Sequence, residues 1–171
     1  MPPPNAKPLF LLGNHEDRLR KYLWRHPELW GLEALKLPSL LGFSELGIEN
    51  PDGGEILLFD RLLIKHGERV RQHSAYSARA ELEKEFYAVS ILSGHTHRGG
   101  VHYATTRNGI VEAHECFCLC RLDPEYVFNP NWQQGLVLAE VDKIYLSITD
   151  IPFQPHGRKL AARWNGRQYR S

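Results

Sequence analysis

At 171 residues the chain is the size of a single domain and long enough to bury a real core. Its 42% hydrophobic content argues against disorder, and no apolar run approaches the ~20 residues that span a bilayer. A net charge of +1 points neither toward nor away from nucleic acid. The opening Met1-Pro2-Pro3-Pro4 carries no basic or apolar signal region, so a soluble, cytoplasmic protein is expected.

Residues 1–7 read as a loop, and the apolar run Leu9-Phe10-Leu11-Leu12 reads as a buried strand ending at Gly13. A helix is predicted over 16–26. Leu19, Tyr22 and Leu23 recur at helical spacing, Glu16 and Asp17 lie in its first turn, and Pro27 stops it. A second helical stretch is predicted over 27–36, with Leu29, Leu32 and Leu35 inward, before a surface excursion over 37–54. Ile56-Leu57-Leu58-Phe59 and Leu62-Leu63-Ile64 read as strands. Ser74 is a candidate N-cap for a helix reaching about Phe86, with Ala78, Leu82 and Phe86 on one face. The next strand is predicted over 88–92. Arg107-Asn108-Gly109 between two alternating runs predicts a hairpin, and Asp142-Lys143 a further one. Strands alternating with helices and then hairpins define an α/β class with mixed sheets.

Three cysteines, Cys116, Cys118 and Cys120, cannot all pair within the chain, and on a strand they would share one face. Their C-x-C-x-C spacing is not the C-x₂₋₄-C of structural zinc sites, so they are expected to be buried reduced thiols. The segment over 156–171 holds five basic residues (Arg158, Lys159, Arg163, Arg167, Arg170) and no acidic one, which leaves sixteen basic against twenty acidic elsewhere. It reads as a solvated basic tail, able to touch phosphates.

Chemistry-bearing residues gather at three apolar runs that each end in glycine or histidine. Gly13-Asn14-His15-Glu16 comes after Leu12, His66-Gly67 after Leu62-Leu63-Ile64-Lys65, and Gly94-His95-Thr96-His97 after Val89-Ser90-Ile91-Leu92-Ser93. Strand ends of α/β folds are where ligands bind, and Asn with three His reads as a transition-metal site. A lone H-x-H is weak; joined to the other two in this order it becomes strong. On extended backbone His95 and His97 would project to one side.

The pattern resembles the calcineurin-like metallophosphoesterases, whose motif series is D-x-H, G-D-x-x-D, G-N-H-[DE], a lone H and G-H-x-H. The last three are present in order. The first two are not, since none of the twelve residues before Gly13 is Asp, Glu or His. The wider texture, including Asp17-Arg18-Leu19 and Asn131-Trp132-Gln133-Gln134-Gly135, is similar to members found in bacteriophages, which would place the protein in host cytoplasm.

The resemblance implies a four-layer α/β/β/α sandwich, N-terminally truncated, with a partial phosphoesterase domain over 1–155 ahead of the basic tail. It implies hydrolysis of a phosphate mono- or diester, with nucleotide or nucleic acid as plausible substrates. Two divalent transition ions (Mn, Fe, Ni or Zn) serve the intact site. Asn14, His66 and His95 match ligands of one ion, and His97 matches the other, whose carboxylates belong to the unmatched motifs, so at most one ion is expected here. His15 matches the histidine that stands beside the scissile phosphate without binding metal. Glu16 is a candidate to orient it, and His73 and His102 are candidates to line the cleft. Trp132 and Tyr103 are candidates to stack on a base. The alternatives are a non-catalytic metal-binding remnant and the C-terminal half of a split enzyme completed by an upstream chain.

Overall fold

The computed structural model describes residues 5–51, 54–157 and 159–171, and the chain divides into two compact units, Met1–Glu55 and Ile56–Ser171. Among the described residues no helix is long and apolar enough to cross a membrane.

The first unit is built on helix α1 (Asn14–Arg25), with the short helices α2 (Pro27–Trp30), α3 (Leu37–Leu40) and α4 (Phe43–Leu46) after it and a 3-10 turn at Glu33–Leu35. The helix expected over 16–26 therefore begins two residues earlier. The second expected helix stops at Trp30. Leu9-Phe10-Leu11-Leu12 is not a strand; it makes one parallel bridge, Leu9 to Glu49, and Leu9 and Leu12 are exposed. An apolar quartet becomes a strand only where a neighbour pairs along its length, and this one is tied at single points, by the Phe10 N–H to Glu49 O and the Asn50 amide to Phe10 O. Phe43, buried, packs its ring 5.1 Å from that of Phe10.

The second unit is a mixed α/β assembly. Strands β1 (Glu55–Leu58), β2 (Leu62–Lys65), β3 (Ser90–Ser93), β4 (Gly99–Thr106) and β5 (Gly109–Cys116) form a five-stranded sheet in the order β1-β2-β3-β5-β4. Strands β2, β3 and β5 run parallel, while β4 closes the sheet antiparallel to β5. The connection from β2 to β3 is helix α5 (Tyr76–Lys84), as a parallel pair requires. Its buried face sets Ala78 and Leu82 against Leu63, Ile91 and Ala113, which form the core. Each large apolar side chain fully buried there contributes about 1.5–3 kcal/mol.

Helix α5 is not capped by Ser74. Its N-cap is Ala75, in the left-handed region at φ +68°, and the backbone of Ala75 runs against Gly100, where a Cβ would come within 2.6 Å of the Ala75 nitrogen. The hairpin at Arg107-Asn108 forms as expected, with Thr106 paired to Gly109.

On the opposite face of the sheet from α5, β5 meets the hairpin of β6 (Gly135–Val141) and β7 (Leu146–Pro152). His114 of β5 lies 2.7 Å from Asp150 of β7. The last three strands, β8 (Gln154–His156), β9 (Lys159–Trp164) and β10 (Arg167–Arg170), form an antiparallel meander, so the segment read as a tail is largely strand, and its described residues are mostly exposed. Arg158 lies outside the described residues.

Candidate metal centre

The three parallel strands finish level with one another, Lys65 of β2 in register with Ser93 of β3, and Ser93 with Glu115 of β5. Each strand leads into a segment rich in metal-binding side chains: His66 after β2, Gly94-His95-Thr96-His97 after β3, and Cys118 and Cys120 just beyond β5. Sequence-remote donors thus meet at the carboxyl edge of one sheet.

Two buried carboxylates hold the loops that carry these donors. Glu81 of α5 is 1% exposed, and its Oε1 accepts the N–H groups of Glu68 at 2.6 Å and Arg69 at 2.7 Å. Its Oε2 lies 2.8 Å from Lys65 Nζ, which also reaches Glu85. Burial acts to raise the Glu81 pKa, but Lys65 and the two N–H groups outweigh it and hold the carboxyl below its ordinary range. The backbone leaving His66 is therefore fixed from α5. Glu115, fully buried, holds the other loop: its Oε2 accepts the Thr96 hydroxyl at 2.8 Å and lies 3.2 Å from Arg98 Nε. Arg98 in turn donates to the carbonyls of Arg71 and Gln72.

His66 Nε2 stands 3.1 Å from His95 Nδ1, with the rings edge-on. Close approach of the two strand ends depends on Gly67, at φ +88°, where a Cβ would sit 3.2 Å from Ser93 Cβ. Two imidazole nitrogens at this separation fit either an N–H···N hydrogen bond or a shared cation. With metal–nitrogen bonds of about 2.0–2.1 Å they would subtend roughly 95–102°, between octahedral and tetrahedral angles.

The backbone of the G-H-T-H loop is not extended. Thr96 N–H closes a three-residue turn onto Gly94 O at 2.8 Å around His95 at φ +69°, and His97 is also left-handed at φ +59°. The two imidazoles are thus aimed by separate turns rather than by strand alternation. Positive φ at two non-glycine residues within three is strain of the kind that collects at functional loops. His97 lies with Nδ1 3.8 Å from Cys120 Sγ and its ring edge-on to Trp132 at 4.5 Å.

The cysteines do not share a strand face. Cys116 closes β5, Phe117 turns left-handed at φ +60°, and Cys118 and Cys120 sit in the bend beyond. Cys116 and Cys118 are half-buried and Cys120 is exposed, so the expected set of buried thiols is corrected. Burial pushes the Cys116 thiol up to about 12 and, with the neighbouring Cys120, the Cys118 thiol up to about 11.

Asn14, His15 and Glu16 lie in the first unit, in the first turn of α1. Asn14 is the first helical residue, and both Asn14 and His15 are exposed. The Glu16 carboxylate accepts the Gly13 N–H at 2.7 Å and so serves as a helix cap. In the second unit, His102 is half-buried on β4, while His73 is exposed and stands edge-on to Tyr76. Tyr103 is exposed.

Sequence reading missed several contributors. Glu81 and Glu115 were legible, since Glu81 shares the inward face with Ala78 and Leu82, and Glu115 alternates with buried Ala113. His114 is 3% exposed between Asp150 at 2.7 Å and Glu112 at 3.3 Å. Burial acts to lower its pKa, but the two carboxylates outweigh that and raise it. The approach of Cys118 and Cys120 to His97 carried no sequence signal beyond their C-x-C spacing.

No protein-family model matches this chain, and neither the curated proteins nor the solved structures contain a match to it.

Proposed function

We propose that this chain carries the second half of a calcineurin-like phosphoesterase site and acts in metal-dependent hydrolysis of a phosphate mono- or diester, of the nucleotide or nucleic-acid class. The observation that carries the reading is the approach of His66 to His95, 3.1 Å between nitrogens, at adjacent ends of parallel strands. The order of the three motifs supports it, as does a mixed sheet with α5 on one face and the β6–β7 hairpin on the other, which is compatible with part of an α/β/β/α sandwich.

In this reading His66 and His95 serve one divalent transition ion, and His97 belongs to a second. Such ions, when bound, lower the pKa of a coordinated water and draw charge from phosphate oxygens. The loops that carry His66 and His95 are fixed by the Glu81 and Glu115 anchors beneath them. His15, exposed at the start of α1, keeps the non-ligand role that its motif match implies.

The test is manganese-dependent hydrolysis of a bis-aryl phosphate by the purified 171-residue chain. Slow hydrolysis is expected, below the roughly 1–10³ per second of intact enzymes, because the bridging carboxylate of the family is not among these residues. His66→Ala and His95→Ala should each abolish it. Hydrolysis unchanged in both variants overturns the assignment.

A further inference from the structure

We propose that His97, Cys118 and Cys120 form a thiolate–imidazole site for a thiophilic divalent cation of the zinc class. A ring nitrogen of His97 and the two sulphurs all lie within 4.8 Å of one another. His97 Nδ1 and Cys120 Sγ are 3.8 Å apart. Zinc with bonds of about 2.0–2.1 Å to nitrogen and 2.3 Å to sulphur would place them about 3.6 Å apart in a tetrahedral shell.

The cysteines reach this geometry because the chain bends. On an extended strand residues i and i+2 stand about 6.6 Å apart along the axis. Here the bend at Leu119 and Cys120, after left-handed Phe117, draws the two sulphurs together.

The backbone around the three donors is held by a single segment. Gln133 N–H donates to His97 O at 2.9 Å, and Gln133 O accepts the Cys118 N–H at 3.0 Å. The Gln133 side chain accepts the Gly99 N–H at 3.1 Å, and the Gln134 amide donates to Cys120 O at 2.7 Å. Trp132 packs on the His97 ring from the same segment. Outer bonds of this kind fix ligand orientation in metal sites. Three protein donors with Cys120 facing solvent leave a fourth position open, the arrangement of sites that bind water or substrate rather than purely structural ones. Binding releases the two thiol protons to solvent.

The site stands on its own geometry. Under the phosphoesterase reading it deepens that reading, because thiolates then occupy the ligand positions of the ion for which His97 is the matched residue.

Cobalt(II) added to the reduced full chain tests the proposal. A near-ultraviolet thiolate-to-cobalt charge-transfer band is expected, bleached by zinc, lost in Cys118→Ser/Cys120→Ser and kept in Cys116→Ser. Absence of the band in the reduced wild-type chain, or its persistence in the double variant, overturns the proposal. Should the double variant lose its circular dichroism, zinc protection of the wild-type chain decides: Cys118 and Cys120 should resist iodoacetamide with zinc bound, and equal labelling with and without zinc overturns the site. Bis-aryl phosphate hydrolysis by the same samples separates the two readings. A band without hydrolysis removes only the phosphoesterase assignment, and hydrolysis without a band removes only the thiolate site.

Discussion

Arg98 and Glu115 face each other across the base of the G-H-T-H loop, Nε 3.2 Å from Oε2, with side chains only 8% and 0% exposed. The guanidinium also bonds the Arg71 and Gln72 carbonyls, so one buried cation ties that segment and its own loop to the end of β5. Removing one partner of a buried pair strands the other charge and costs about 3–5 kcal/mol. Arg98→Ala should show that loss in urea unfolding. Arg98→Met with Glu115→Leu should recover only part of it, because the two carbonyls and the Thr96 hydroxyl remain without their partners.

Glu81 sets an acid limit on the His66 loop. Its folded pKa is depressed, so its stabilisation is present above the unfolded carboxyl range and is lost as pH falls through the folded value. The stability gap between wild type and Glu81→Gln should be largest near neutral pH and shrink as pH falls below the ordinary carboxyl range. A gap independent of pH would mean that the carboxylate charge is not what holds Lys65 and the loop.

His114 works in the opposite direction. Its folded pKa is raised, so its contribution is full below the unfolded value of about 6.5 and disappears as pH rises through the folded value. Chemical unfolding should find wild type better stabilised relative to His114→Gln at about pH 5.5 than at about pH 8.5. The reverse order would contradict the ion pairs to Asp150 and Glu112.

His15 and His95 should separate in metal content. His15→Ala should cut the manganese-dependent rate by roughly 10²–10⁴ while bound metal stays constant. His95→Ala should lose metal and rate together, since it removes one half of the 3.1 Å nitrogen pair. Metal analysis beside rate measurements checks both, and equal metal loss in the two variants would make His15 a ligand.

Strands β2, β3 and β5 were legible because apolar runs ending in glycine or polar motifs leave few alternatives, and the Asn108-Gly109 step announced its hairpin. The placement of His66 and His95 at strand ends came from the same runs. What sequence could not supply was the backbone at His95, His97 and Phe117. L-residues avoid left-handed φ unless distant bonds impose it, here Thr96 to Glu115 and Phe117 N–H to Arg98 O. Those turns break the period-two logic that placed both histidines, and all three cysteines, on common faces. Leu9-Phe10-Leu11-Leu12 misled for a related reason, since pairing partners rather than composition decide a strand.

The Trp132 ring, edge-on to His97 at 4.5 Å, makes this loop its own optical reporter. The emission of an indole in ring contact with an imidazole should respond to a change of charge on that ring. Trp24, Trp30 and Trp164 lie outside the segment, each more exposed than Trp132, and supply a steady background. If the proposed site binds its cation, intrinsic fluorescence should follow occupancy at His97 in the unlabelled protein, and Trp132→Phe should remove that signal while leaving an aromatic ring in its place.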